Sequence, residues 1–495
     1  MATPTSAVPH LPPLAANSLS QQQIPTGMKV ISAEEVAALD ANCRYFGLLP
    51  LQLMENAGAA LAREVKARAG GKRIAVVAGR GNNGGDAFVA ARHLAGFDVT
   101  VYLLGRARDI ATEEARRNWQ ILLRLDYDLR EIRDSSELPL SECDLIVDAI
   151  FGTGVRGRIT GLEAGAIDAI NRSGRPVLSV DIPSGAGCNK TVQADFTVTF
   201  HRAKPGLPQT VTVADIGIPA AAEMFVGEGD LWLMGRRASQ SHKGDSGRIL
   251  VIGGGPYTGA PALSALAALR AGADIVTVAA PKEAASTISA FSPNLIVAPL
   301  SEDHLRPQDL DLLKEQIARH DVVVMGMGLG RDPETKQALS EIIPLCSRAV
   351  IDADALLPDL PLKGIVTPHA GEFKRISGIS LSDLPYRSRI EPLRGYARER
   401  DLVVLLKGKV DLISDGETVR ANATGNPGMT VGGTGDVLAG ITAAFYARAS
   451  PLRAAAAAAF VNGRAGDLAY LERDYGMLAT DVIEKIPQAM RVEGS

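Results

Sequence analysis

From Arg73 onward, short apolar runs alternate with longer stretches in which apolar positions recur every three or four residues. The runs IAVVAG, VTVYLLG, LIVDAIFG and PVLSVDIPSG are almost uninterrupted in their hydrophobicity, as strands covered on both faces require. Alternation of such runs with helical stretches predicts a parallel sheet with helices on both faces. Two helical patterns come first, Ser32 to Phe46 and Leu51 to Ala69, and Ser32 with Glu35 three residues on has the form of a capping box. After Thr210 the strand pattern weakens, and a second alternation runs from Arg248 to about Met490. The glycine-rich stretch from Ala222 to Ser246 reads as a junction between two α/β halves. The expected division is 28–225, a junction at 226–246, and 247–495.

Length agrees, since 495 residues exceed what one ordinary core holds. Residues 1–27 are rich in Pro, Ala, Ser and Gln without Lys or Arg, so they lack the basic residues of a targeting signal. They read as a disordered tail or expression remnant, with Met28 as the natural start. A net charge of −4 gives no overall basic bias, which disfavours nucleic acid as partner. The four cysteines, Cys43, Cys143, Cys188 and Cys346, form no CxxC pair, so neither a zinc site nor a disulfide framework is expected, and a reducing cytoplasm fits. No run is long and apolar enough to cross a membrane; the Ala454 to Ala459 tract reads as part of an amphipathic helix.

Candidate chemistry concentrates at strand ends, where open α/β sheets bind ligands. The loop AGRGNNGGDAF (Ala78 to Phe88) follows a strand and precedes a helix expected over Ala87 to Leu94. Its glycines and polar Asn82, Asn83 and Asp86 suit a phosphate, but it lacks the Lys-Ser/Thr of a Walker loop and the Rossmann spacing. Asp148 ends a strand before AIFGTGVRGRITG, where Arg156 and Arg158 can meet an anion, and Asp181 ends another in SVDIPSG. Near the C-terminus, NPGMTVGGTGDVLAG (Asn426 to Gly440) sets glycine backbone at a helix start with Asp436 at the junction. Free amides there favour an anion, and the carboxylate can take a proton from a hydroxyl. That combination points to phosphoryl transfer onto an alcohol. The remaining histidines, apart from His369, show no ligand spacing.

The GTGD stretch, with GRILVIGGG, TPHAGEF and LLKGKVDLI, resembles the ribokinase-like family. GNNGGD, VDAIFGTGVRG and VDIPSG, in that order, resemble the epimerase domain of the NAD(P)HX repair enzymes, whose dehydratase domain is ribokinase-like. The resemblance spans Met28 to the C-terminus. It implies an α/β fold of two domains: an N-terminal Rossmann-like three-layer epimerase domain and a C-terminal ribokinase-like dehydratase domain. It also implies a bifunctional enzyme, isomerase and lyase, acting on hydrated NADH and NADPH (NADHX and NADPHX).

Residue by residue, the resemblance places the hydrated cofactor of the first domain on Asn82, Asn83, Gly84, Gly85, Asp86, Gly152, Thr153, Gly154, Val155, Arg156, Gly157, Arg158 and Asp181. Asp181 carries proton transfer between R and S hydrates, and potassium falls on Asn83, Asp148 and Ser184. Ala87 stands where the family often has a further glycine. In the second domain Ala260, Gly328, His369 and Asp436 meet the hydrated cofactor, with Asp436 as base. Lys407, Gly408, Lys409, Val410, Asp411 and Gly435 hold ADP or ATP, with ADP favoured. Magnesium accompanies the nucleotide, Glu372 being a candidate for holding it or a water, and a homo-oligomer is expected. Two other readings stay open: a kinase of a small alcohol of hydroxymethylpyrimidine or thiazole type with a nucleotide-sensing first domain, and a first domain that only binds.

Overall fold

The computed structural model describes residues 30–207, 210–235, 240 and 242–492. The tail expected at 1–27 and the start at Met28 lie outside the described residues. The described residues up to Ala220 and those from Ala221 onward form two compact units, with the division a little before the expected Phe225.

The first unit holds β1 (Arg73–Ala78), β2 (Asp98–Leu104), β3 (Asp128–Ile132), β4 (Leu145–Ala149), β5 (Val177–Val180), β6 (Phe196–Phe200) and β7 (Val211–Ala214). Their order in the sheet is β3-β2-β1-β4-β5-β6-β7 and every pairing is parallel. The order reverses between β1 and β4, and that switch point is where an open sheet leaves a crevice at its carboxyl edge. β7 forms where the pattern had weakened: it is an edge strand, half-buried throughout, and so carries no apolar run. The capping box at Ser32 is present, with Ser32 N donating to Glu35 at 2.8 Å and Glu35 N donating to Ser32 Oγ at 3.2 Å.

The second unit holds β8 (Arg248–Ile252), β9 (Ile275–Ala280), β10 (Ile296–Pro299), β11 (Val322–Met325), β12 (Ala349–Ile351), β13 (Ile365–Val366), β14 (Val403–Leu406), β15 (Asp411–Ser414) and β16 (Val419–Asn422). The order is β10-β9-β8-β11-β12-β13-β14-β15-β16, parallel except for the antiparallel pairs β14–β15 and β15–β16. Part of the stretch read as a junction belongs to this unit. Val226 N donates to Ala421 O at 2.8 Å, and Asp230 pairs with Arg420 at 2.7 Å.

Two local expectations change. The helix after β1 begins at Asn82, not Ala87, so Asn83, Gly84 and Gly85 lie inside its first turns. Packing requires a glycine at 84, since a Cβ on it would stand 2.1 Å from Gly79 O. Gly84→Ala should therefore destabilise the first unit by about 1–3 kcal/mol, read as a lowered urea midpoint. The alanine tract is the other change: Ala454 through Gly463 are buried at every position of the helix Pro451–Arg473, so this half has no polar face. Small side chains let neighbouring elements close on all sides.

Candidate functional sites

In the first unit, β4 and β5 deliver their acids to the switch-point edge. Asp148 is completely buried, and its carboxylate accepts from Ser179 Oγ (2.7 Å), Ser184 N (2.9 Å) and Ser184 Oγ (2.5 Å). Burial raises its pKa while these hydrogen bonds oppose the shift. Asp181 follows β5 with φ of 66°, a left-handed conformation costly for a residue with a Cβ and worth noting at a site. Its Oδ1 is held by Lys204 Nζ at 2.7 Å and Thr199 Oγ1 at 3.1 Å; the Lys204 side chain is 3% exposed.

The other Asp181 oxygen lies 3.7 Å from where a Cβ on Gly152 would stand, and Asn83 Oδ1 lies 3.2 Å from that same point. Asn83, Gly152 and Asp181 therefore meet, with the Asn83 amide nitrogen anchored to Val180 O at 3.0 Å. Asp86 lies close enough to feel the charges of Asp181, Asp40 and Lys204. Burial, then the charges of Asp181 and Asp40, push its pKa well above the usual carboxylate range, against the pull of Lys204. Asp40 is pushed up to about 6 by burial and by Asp181. Three carboxylates thus crowd around one ammonium.

The rest of the expected loop spreads outward. Thr153 and Val155 are half-buried, Gly154, Gly157 and Arg158 are exposed, and Arg156 reaches Glu34 at 3.3 Å. Asn82 is exposed at the first residue of its helix. For a potassium ion the oxygens near this point are Asn83 Oδ1, Ser184 Oγ, which also accepts from Phe151 N at 2.9 Å, and the Phe151 carbonyl 3.3 Å from that hydroxyl. This donor chemistry fits a hard monovalent cation. Asp148 sits behind Ser184, whose hydroxyl donates to it.

In the second unit, Gly433 has φ of 99° and caps the helix Thr434–Tyr446, placing Gly435 and Asp436 in its first turn. Burial, then the Asp352 carboxylate, push Asp436 up to about 7, against the pull of Lys407. Lys407 Nζ lies 2.8 Å from Asp352 Oδ1, 3.7 Å from Glu372 Oε2, and 3.4 Å from where a Cβ on Gly435 would stand. Burial works against the Lys407 charge, yet Asp352, Glu372 and Asp436 together raise its pKa above the ordinary value. Proton abstraction by a base in this setting should follow Asp436: kcat/KM falls as pH drops through about 7, because the protonated acid cannot accept a proton. A pH profile of the free enzyme checks this, and Lys407→Met should move the acid limb upward.

His369 caps the helix Ala370–Ser377: its Nδ1 accepts from Gly371 N (3.0 Å) and Glu372 N (3.3 Å). The proton of the neutral ring is therefore on Nε2, and the side chain is 61% exposed. Lys407 N donates to Pro368 O at 2.8 Å, which joins the TPHAGEF and LLKGK segments. Asp411 turns inward: its oxygens accept from Gly408 N (2.9 Å) and Asn422 Nδ2 (3.0 Å), bracing the hairpin that carries Lys409 and Val410. Ala260 opens the helix Gly259–Arg270, and Leu263 on that helix packs against Gly433. A Cβ on Gly328 would stand 2.4 Å from Tyr257 O, so the Tyr257 loop is seated directly on Gly328.

The model of the family described as NAD(P)H-hydrate dehydratase matches residues 249–488, and that of the YjeF-related protein N-terminus matches residues 50–206. A bifunctional NAD(P)H-hydrate repair enzyme Nnr of Archaeoglobus fulgidus is 44% identical over 477 residues, spanning 94% of this chain and 99% of its own. The chain belongs to the bifunctional NAD(P)H-hydrate repair enzymes. The corresponding Methanothermobacter thermautotrophicus repair enzyme is 43% identical, covering 93% of this chain and 95% of its own. Among solved structures, an ADP/ATP-dependent NAD(P)H-hydrate dehydratase from Bacillus subtilis, co-crystallized with ATP/Mg2+, aligns with 54% of the chain and 99% of its own. Its TM-score is 0.47 and its identity 23%.

Asp352, Lys204 and Asp40 also stand at the two sites, although none lies in the motifs above. Asp352 ends β12 and is 2% exposed, the same strand-end signal that picked out Asp148 and Asp181. Lys204 and Asp40 had no such signal, lying in a loop and on a helix whose packing only the fold reveals. Among the described residues, His304 gathers Asp332 and Glu334, but Arg306 Nε lies 3.2 Å from His304 Nε2 and fills the place a cation would take. No described helix is long and apolar enough to cross a membrane.

Proposed function

We propose that the chain repairs hydrated nicotinamide cofactors, interconverting R- and S-NAD(P)HX in the first unit and dehydrating the S form at the expense of a nucleotide in the second. The observation carrying this reading is a relative of that name aligned along nearly its entire length, together with Asp436 in the first turn of a glycine-led helix. In the first unit Asn82, Asn83, Gly84, Gly85, Asp86 and the loop 152–158 hold the substrate. Asp181 moves the proton as water leaves and returns at C6, and a potassium ion would be held by Asn83, Asp148 and Ser184. The ion pair with Lys204 supports Asp181 as the acceptor, because it fixes one oxygen and leaves the other toward Gly152.

In the second unit Asp436 takes the proton of the C6 hydroxyl, whose oxygen attacks the terminal phosphoryl group as its bond to the nucleotide breaks. The phosphate then leaves C6 and a proton leaves C5, restoring the dihydropyridine. The amides from Gly433 to Gly435 and the Lys407 ammonium oppose the charge on the transferring group. Lys407 to Asp411 and Gly435 hold the nucleotide; Ala260, Gly328 and His369 hold the hydrated cofactor. Negative charge exceeds positive here, which fits magnesium arriving with a nucleotide; Glu372 would hold it, and its charge would neutralise phosphate. ADP is the favoured donor, NADHX and NADPHX both serve, and the enzyme works in the cytoplasm as a homo-oligomer, apart from nucleic acid and membrane.

The test mixes purified protein with NADHX epimers and ADP or ATP. Recovery of the reduced-nicotinamide absorbance with matching release of inorganic phosphate is expected. A stable phosphorylated alcohol instead would establish the small-alcohol kinase.

A further inference from the structure

We infer that Asp352 is a positioning residue for the phosphoryl-transfer step, holding the Lys407 ammonium over the first turn of the Thr434–Tyr446 helix beside Asp436. This deepens the dehydratase reading and rests on it. Lys407 leaves β14 with its backbone tied to Pro368, and its side chain crosses to β12, where Asp352 Oδ1 takes the ammonium at 2.8 Å. Glu372 is farther, at 3.7 Å, so Asp352 sets where the charge sits. That place lies 3.4 Å from the point where a Cβ on Gly435 would stand, against the amides that would receive a phosphoryl group.

The fold invests in the position of Asp352 itself. Its amide donates to Met325 O at 3.0 Å, and a Cβ on Gly326 would stand 1.8 Å from its carbonyl oxygen. Gly326 has φ of 122°, so the end of β11 is shaped to let Asp352 press against it. An unrestrained lysine spreads over many rotamers. A clamped one arrives with its charge already in place, and pre-placed charge is what stabilises a transition state.

The experiment compares wild type, Asp352→Asn, Lys407→Met and the double variant in the dehydration and epimerisation assays, with thermal unfolding alongside. Asp352→Asn is expected to lower the dehydration kcat about 100-fold, with KM for the hydrated cofactor and epimerisation little changed. Asp352 also raises the Asp436 pKa directly, so the variants are compared on the pH-independent plateau above that ionisation; there, because Asp352 acts through Lys407, the double variant should be no slower than Lys407→Met by more than about twofold. Multiplicative losses, or an Asp352→Asn enzyme as fast as wild type, would overturn the inference. Should Asp352→Asn fail to fold, Asp352→Glu keeps the charge but moves it. An intermediate kcat with unchanged KM is then expected, and a wild-type rate would refute the clamp. Absence of dehydration in the wild type is a separate outcome, which removes the dehydratase reading itself.

Discussion

Asp436→Asn should lower nucleotide-dependent dehydration by about 1,000-fold or more, while epimerisation of NADHX proceeds at its normal rate. The amide keeps the shape of the carboxylate and its place in the first turn of the helix, but it cannot accept the hydroxyl proton. Burial and the neighbouring Asp352 hold this acid near neutrality, the range in which a base both deprotonates in solution and still takes a proton from an alcohol. Removing the charge also relieves crowding among Asp352, Glu372 and Asp436, so the variant should be no less stable than wild type. Coupled assays on a single preparation check both activities. Loss of epimerisation along with dehydration in a folded variant would contradict two independent sites.

Asp181→Asn should do the converse, with epimerisation reduced by about 100-fold or more and dehydration of the S hydrate retained. It carries a structural penalty that Asp436→Asn does not. The Lys204 ammonium, 3% exposed, would lose its direct ion-pair partner and keep only the Phe200 carbonyl and the more distant charges of Asp40 and Asp86, so part of the cost of breaking a buried pair, about 1–3 kcal/mol, is expected. A lowered unfolding midpoint of the first unit is therefore expected with the lost activity. Asp181→Asn combined with Lys204→Met should regain much of that stability and none of the epimerisation. Recovery of activity in the pair would mean that Asp181 only neutralises the lysine.

The architecture was largely legible because parallel strands buried on both faces leave continuous apolar runs, and strands such as Ile74 to Val77 could be read directly. β7 could not, being a half-buried edge whose Val-Thr-Val carries little pattern. The strand-end rule found Asp148 and Asp181, and glycine before a helix found Asp436. What escaped was whatever the chain assembles across distance. Lys204 becomes significant only when β5 and β6 are adjacent, and Asp352 only when β12 lies two strands from β14. The glycines of GNNGGD were legible as special, but the packing demand on one of them was not. A Cβ at Gly84 would meet the Gly79 carbonyl, so close packing of the helix start onto β1 accounts for it.

Six consecutive alanines leave Phe460 and Val461, which follow them, as the bulky buried side chains beside the tract in the helix Pro451–Arg473, too few to fix how it is threaded lengthwise past its neighbours. Polar bonds add to them: Asn422 donates to Ala459 O at 3.1 Å, Thr424 to Phe460 O at 3.2 Å, and Asp467 accepts from Gly425 N and Asn426 Nδ2, each at 3.0 Å. Those four residues are the run-in to the GTGD turn. The anion cradle thus takes its alignment from a rail that contributes no chemistry of its own, and slippage along that rail would misplace Asp436 without touching it.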